Sequence, residues 1–367
     1  MLRVQASPAC NLNCSYCYIP ASVRRQTSVM SMQVLETLLR RLVDEDLLED
    51  RLAISWHGAE PLVVGVAWYE EALEQIAEVL GGTAVQVSQV FQTNGVLIDD
   101  AWCEYFARTG AHVGVSLDGA AAQNAARVNW GGRPAHGLAM RGVAALNRHA
   151  IPWALLAVVT EETMRDPEAF IAFVRDSGCA YLGFKVEETN VAHVSHLAGL
   201  GGLERLYADF VLALWRAFPA GGPVRVREFE DYRGLRGGPP AQVIPVTLVP
   251  FRNLTVAVNG DFTIFAGELL FRDDDRFVFG NVMDGPLLDC LKTARFQAVA
   301  AQMLAGARRC AATCERYVDC GSFYISQKYA ETGSFDAGET LACRLEVKTF
   351  LSALDGGVRL EAGADSF

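Results

Sequence analysis

The feature that most constrains what this chain can fold into is a regular alternation of two hydrophobic periods along its first 218 residues. Short runs rich in β-branched and aromatic residues stand at positions 2–6, 52–57, 84–91, 112–117, 153–160 and 181–186. Between them lie stretches with apolar residues three and four apart. The first of these opens at Ser31 and places Val34, Leu35, Leu38, Leu39, Leu42 and Val43 on one stripe. Others run over 66–80, closed by Gly81-Gly82, and over 99–108, 136–149, 167–175 and 202–218. Strands that alternate with helices return by crossover connections, which gives βαβ units and a parallel sheet. The class is therefore α/β, with chemistry expected in the loops at the C-terminal ends of the strands.

Cysteines occupy the first of those loops. Cys10, Cys14 and Cys17 are spaced C-x3-C-x2-C directly after the first strand, and Tyr18 follows. Three thiolates in one short loop can hold three corners of a 4Fe–4S cube and leave the fourth iron open. A zinc knuckle is the alternative, but it calls for a partner pair nearby, and none follows for many residues. Four more cysteines gather near the end as Cys310-x3-Cys314-x5-Cys320 and Cys343. Four thiolates can complete a cube with no open iron, or hold a structural zinc ion. The remaining Cys103, Cys179 and Cys290 stand alone in apolar periodic segments and read as small core residues.

The cysteine loop with its following aromatic resembles the signature of the radical S-adenosylmethionine (SAM) enzymes. The resemblance continues through His57-Gly58-Ala59-Glu60-Pro61-Leu62, Gln92-Thr93-Asn94-Gly95 and Ser116-Leu117-Asp118-Gly119. These motifs end the second, third and fourth strands, where parallel α/β folds build their sites. The tail, with Lys328-Tyr329-Ala330-Glu331 and Glu339-Thr340-Leu341-Ala342-Cys343-Arg344, is similar to SPASM-type extensions of peptide-modifying members. The resemblance implies a partial (β/α)6 TIM-type barrel over 1–220, a linker and β-hairpin bridging region over 221–300, and a SPASM-like iron–sulfur domain over 301–367. It also implies two 4Fe–4S clusters and SAM as cofactors, with Cys10, Cys14 and Cys17 on the radical-generating cluster and Cys310, Cys314, Cys320 and Cys343 on an auxiliary one. A full SPASM tail carries seven cysteines; Phe265-Ala266-Gly267-Glu268-Leu269 stands where more would be, so one auxiliary cluster is expected.

Residue roles follow by the same route. The resemblance implies that Tyr18 packs near the adenine, and that the turn at Ala59 and Glu60 takes the SAM amino group. A glycine usually stands at position 59; with alanine there the backbone contact is expected to survive only if φ is not positive, since a Cβ is penalised there. Thr93 and Asn94 are expected near the ribose or reacting centre, Ser116 and Asp118 among the residues around the cofactor, Arg127 at the SAM carboxylate, and Val158 and Val159 along the adenine. Glu187, after the sixth strand, and Glu268, after the hairpin, are the candidate acid or base groups facing substrate.

The implied activity is that of a peptide maturase: hydrogen abstraction by a 5′-deoxyadenosyl radical, then an intramolecular crosslink of C–C or cyclophane type in a ribosomally made (RiPP) precursor peptide. Reducing power would come from a flavodoxin or ferredoxin. Two alternatives stay open: a formylglycine-forming sulfatase maturase, and a non-catalytic iron–sulfur protein that binds peptides. A net charge of -11 argues against nucleic acid as partner. No apolar run reaches the length of a membrane span, and no secretion signal precedes the first strand, so a cytoplasmic location is expected. Leader binding would use the barrel mouth, the 220–238 linker, or another protein. Residues 253–265 predict a β-hairpin whose Asn259-Gly260 turn is of type I′.

Overall fold

The computed structural model describes residues 1–238, 248–271, 274–322 and 325–364; Pro239-Pro240 and Phe323 lie outside the described residues. Six strands, β1 (Leu2–Val4), β2 (Arg51–Trp56), β3 (Gln86–Thr93), β4 (His112–Ser116), β5 (Trp153–Val159) and β6 (Tyr181–Val186), lie side by side in chain order, all parallel. The connections carry α1 (Ala21–Arg24), α2 (Met32–Asp44), α3 (Val66–Leu80), α4 (Asp100–Thr109), α5 (His136–Arg148), α6 (Glu161–Arg165) and α7 (Pro167–Ser177), and α8 (Leu203–Ala217) follows β6. Side chains cap several of these helices as the sequence requires: Ser31, Asp99, Thr160 and Asp166 each accept a backbone N–H of the first turn.

Strand order decides the shape. Sequential parallel strands with right-handed crossovers put every helix on one face, so the other face stays bare and the sheet curls around it. Period-two alternation then sorts the side chains. Leu2, Val4, Ile54, Trp56, Val113, Val115, Leu155 and Val159 join the helix-side core with Leu35, Leu39, Ile76, Phe106 and Leu146. Arg3, Gln92, Ser116, Val158 and Lys185 alternate with them and are less buried. The inner face is polar, which suits a site rather than a core.

Residues 221–238, expected as linker, are ordered structure. Arg225–Val226 forms β7, a further parallel strand beside β6, and Arg227–Gly237 forms α9. More than half of the helix is charged; its anchors are Phe229 and Tyr232, three apart, which pack on Trp215 and Phe350. Two aromatics in a polar segment gave too little period to read as a helix. The hairpin also joins the main sheet. Its first strand, β8 (Leu254–Val256), pairs in parallel with β1, and β9 (Asp261–Thr263) and β10 (Gly280–Asn281) extend the edge antiparallel.

The turn between β8 and β9 differs from expectation. A type I′ turn needs positive φ at both central residues, but only Gly260 has it, at +91°. The Gly260 N–H donates to the Ala257 carbonyl at 2.9 Å and the Ala257 N–H to the Asp261 carbonyl at 2.8 Å. That is a three-residue loop whose glycine ends a turn through Val258 and Asn259.

The tail contains α10 (Ala294–Thr313), α11 (Tyr317–Cys320), α12 (Ile325–Thr332), α13 (Leu341–Cys343), a π-helical turn at Arg344–Thr349 and α14 (Phe350–Ala364). It folds back onto the barrel: Glu346 accepts the Val186 N–H at 2.7 Å, and Arg236 and Arg316 share Asp355. No helix among the described residues is long and apolar enough to cross a membrane.

Candidate functional site

The three-cysteine loop is built by its neighbours rather than by its own hydrogen bonds. Segment 126–130 runs beside it: Asn13 N–H donates to Val128 O at 2.7 Å, Ser15 N–H to Ala126 O at 3.1 Å, and the Trp130 indole N–H to Cys10 O at 2.8 Å. Buried Arg24 holds the other side, donating to Ile19 O, Leu12 O and the Asn13 side chain at 2.9–3.0 Å. Neither Arg24 nor Trp130 carried a sequence signal; an arginine in a short polar stretch reads as a surface charge.

Beneath the loop, Glu60 organises two of the other motifs. Its carboxylate accepts the Thr93 hydroxyl at 2.6 Å, the Asn94 N–H at 2.7 Å and the Leu62 N–H at 3.0 Å. Asn94 in turn donates to the Asn11 side chain at 2.7 Å, inside the cysteine loop. Burial pushes the Glu60 carboxyl up to about 7 despite those three donors. Burial also pushes Cys10 up to about 12, with the Glu60 carboxylate adding to it. Cys14 and Cys17 are likewise raised by burial, while Arg127 and Arg24 pull the other way.

Gly58 and Ala59 both take positive φ, +97° and +105°. The condition set for the Ala59 backbone contact, a φ that is not positive, is not met: the turn keeps its glycine-type path and carries the Cβ as strain. Gly58 has no such choice, because a Cβ there would meet the Phe271 ring at 2.5 Å. Tyr18 packs against Phe271 and shares a 3.0 Å hydrogen bond with His57 Nε2. Burial lowers His57 to about 4, so the imidazole is neutral.

Asp118 and Arg127 are given to each other. Arg127 Nε and NH2 meet the two carboxylate oxygens at 3.0 and 2.8 Å, and Asp118 also accepts the Val158 N–H and the Tyr16 hydroxyl. Asp118 is fully buried and Arg127 nearly so. Burial opposes the Arg127 charge, but Asp118 and Tyr16 hold it firmly protonated. The pair thus anchors the strand-four loop to Tyr16 of the cysteine loop and to β5. Ser116 accepts from Gln92 at 2.7 Å on the inner face. Val159 points the other way, into the helix-side core, and Val158 holds the inner position. A one-residue step on a strand changes face, which the sequence did not resolve.

The two carboxylate candidates separate. Glu268 lines a cleft of about 540 Å³ between β1 and β6, together with Arg3, Lys185, Glu188, Arg227, Glu228 and Glu346. Glu187 is not on its wall; it is 3% exposed and turned toward two histidines. Its neighbour Glu188 takes the cleft position, pushed up to about 7 by burial although Lys185 pairs with it.

The four tail cysteines meet around one cavity of about 180 Å³. Cys310 lies in the last turn of α10, Cys314 caps it, Cys320 closes α11 and Cys343 closes α13. Buried Lys328 donates to Cys310 Sγ at 3.2 Å, to Ser322 Oγ at 2.8 Å and to Gly306 O at 3.1 Å. A buried amino group thus stands directly against one sulfur of the set. All ten cysteines are free thiols, and Cys103, Cys179 and Cys290 are buried. A single tetrahedral zinc would draw its sulfurs to within about 4 Å of one another. Among the described residues neither cysteine set brings three ligand atoms within 4.8 Å. Thiols spread around a cavity several times the roughly 30 Å³ of one water suit a polynuclear cluster better than one ion.

Residues 4–174 match the model of the radical SAM superfamily. That span holds the three-cysteine loop and the strand-end residues just described. The chain belongs to the radical SAM superfamily. A protein of Synechocystis, sll1766, is 30% identical over 99% of this chain and 93% of its own length. A serine-type anaerobic sulfatase-maturating enzyme of Klebsiella aerogenes is 35% identical over 59% of this chain, and the match spans 53% of that relative's length. Among solved structures, anSMEcpe with bound AdoMet and the Cp18Cys peptide superposes with a TM-score of 0.79 at 19% identity, covering 99% of both chains. SuiB of Streptococcus suis bound to its precursor peptide SuiA gives 0.61 at 15% identity, over 94% of this chain and 75% of that one. These likenesses establish a shared fold that extends beyond the radical SAM core into the tail.

Proposed function

We propose that this enzyme is a peptide maturase that removes a side-chain hydrogen from a ribosomally made precursor peptide and closes an intramolecular crosslink of the C–C or cyclophane type. The observation that carries the reading is the pair of thiol sets: three in the barrel loop, four enclosing a cavity of their own in the tail. Cys10, Cys14 and Cys17 would hold the SAM-binding 4Fe–4S cluster, and Cys310, Cys314, Cys320 and Cys343 an auxiliary one. When bound, these groups supply a 5′-deoxyadenosyl radical from SAM and an acceptor for the electron left after ring closure.

The protein's own part is placement. Glu60 ties Thr93 and Asn94 to the cysteine loop, and the Asp118–Arg127 pair fixes the floor beneath it. The polar inner face and the charged cleft between β1 and β6 receive the peptide. Glu268, on the cleft wall, accepts the proton released when the substrate is oxidised. Structural neighbours with bound peptides support a peptide partner. A low-potential flavodoxin or ferredoxin would supply electrons.

A second reading, oxidation of a serine or cysteine to formylglycine, is favoured by the sulfatase-maturating relatives. Against it, residues 265–269 contribute no thiol toward a second auxiliary cluster. Crosslinking and serine oxidation both remove two hydrogens, so product mass alone does not separate them; an aldehyde trap does. The test is anaerobic reconstitution with iron, sulfide and SAM under a reductant. About eight irons, deoxyadenosine formed by wild type but not by the Cys10/Cys14/Cys17→Ala variant, and a peptide product inert to hydroxylamine would support crosslinking. A product that forms an oxime would move the assignment to formylglycine.

A further inference from the structure

The loop that follows β6 turns a buried carboxylate toward two imidazoles. His193 Nε2 lies 2.6 Å from Glu187 Oε1, and His196 Nδ1 lies 2.7 Å from the same oxygen. The three ligand atoms all fall within 4.8 Å of one another, and no other group of three His, Cys, Asp or Glu side chains among the described residues does so. We propose that Glu187, His193 and His196 form a mononuclear site for a divalent first-row transition ion, zinc above all, distinct from both thiol sets.

Charge is the first argument. Glu187 is 3% exposed, and a buried carboxylate needs a cation or several donors to offset its lost hydration. The partners gathered on it are two imidazoles, and each can turn a lone pair inward by carrying its proton on the other ring nitrogen. A cation between them satisfies the carboxylate and both nitrogens together. Ligand type is the second argument: two nitrogens and one oxygen match zinc and its neighbours, whereas calcium and magnesium prefer oxygen alone.

Rigidity is the third. The loop is fastened by its own polar groups before any ion arrives. Asn190 N–H donates to His193 O at 2.7 Å, Ser195 Oγ to Glu187 O at 2.6 Å, and Ser195 N–H to Thr189 Oγ1 at 3.0 Å. These bonds hold the loop backbone around Glu187, and the two rings need only draw back from their hydrogen-bond distances to about 3.3 Å to admit an ion. The His196 side chain is 76% exposed, so the fourth position of a tetrahedral ion opens to solvent and would take water. The ion would clamp residues 187–196 to the end of β6, at the rim where Glu188 enters the cleft.

The test uses holoprotein reconstituted anaerobically with iron and sulfide, so that the cysteine sites are filled. Zinc chloride is added, excess is removed by gel filtration, and zinc and iron are counted per chain. One zinc beyond the iron, with only nitrogen and oxygen neighbours in its X-ray absorption spectrum, is expected. His196→Ala removes an exposed ligand without disturbing the core and should weaken zinc binding about tenfold or more; Glu187→Gln should do likewise. Cys310→Ser should leave the zinc in place. The proposal is overturned if no zinc is retained, if its neighbours are sulfur, or if His196→Ala and Glu187→Gln bind it as tightly as wild type. Deoxyadenosine formation, measured in parallel, reports separately on the radical chemistry.

Discussion

At the scale of single residues, the turn after β2 carries the costs of the site. Ala59 sits at φ +105°, where a Cβ costs roughly 1–3 kcal/mol. Ala59→Gly should therefore raise the melting temperature by a few degrees, even after the extra backbone entropy of glycine is counted. A fall on thermal melting would refute the strain. Glu60 is the second cost. Its carboxyl, about 7 when folded, exceeds the ordinary carboxylate value of about 4.3, so the folded state keeps a proton that the unfolded state has released. Its stabilising share is present below the unfolded value and is lost as pH rises toward 7, on the order of 3 kcal/mol in cluster-free protein. Glu188 and Glu228, also raised by burial, add to the same slope. Denaturation midpoints taken from pH 4.5 to 8 should fall less steeply for Glu60→Gln than for wild type; parallel curves would show that Glu60 does not titrate there.

At the scale of elements, the tail's cavity depends on α10 meeting the chain after α12 at close range. A Cβ at Gly306 in α10 would meet the Phe335 carbonyl at 2.1 Å, so only glycine allows α10 to approach the chain after α12. That contact brings Lys328 of α12 under Cys310 of α10. Lys328→Met should leave about four irons in the barrel loop and cost the tail most of its own, read by iron counting and by loss of the second cluster's redox signal. Full retention of both clusters would reduce Lys328 to a packing residue. α9 belongs to this scale too: its two aromatics find partners only because α8 and α14 are already there.

At the scale of the whole molecule, one sheet joins the barrel strands to the bridging region. β8 extends β1, β7 extends β6, and the tail closes the gap between them through Glu346 and the Val186 N–H. Removing that acceptor strands a part-buried amide, which costs about 1–3 kcal/mol. Glu346→Ala should accordingly lower the melting temperature by roughly 1–4 °C and loosen the tail in hydrogen exchange, with protection at Val186 lost first. Unchanged protection there would mean that the tail docks through its apolar contacts alone.

Much of this was legible in the chain. Alternating periods of two and near four prescribe a parallel α/β sheet, because side-chain period is local physics that no distant contact reverses. The cysteine spacings marked both thiol sets, because ligands of one cluster loop must be near in sequence to converge. What the sequence left open was direction and partnership. Val158 and Val159 differ only in the face they present; Glu187 and Glu188 differ only in whether the chain turns them to two histidines or to the cleft. Asp118 and Arg127, nine residues apart, could each have met a ligand, and only the buried fork between them shows that they meet each other. Arg24 and Trp130 reach the cysteine loop from positions that carry no pattern at all. The sequence by itself determined the order of elements and the inventory of thiols, since both are set by local spacing. Only the tertiary structure decided which polar groups are spent on one another and which remain for chemistry, since burial and pairing depend on contacts made across the whole fold.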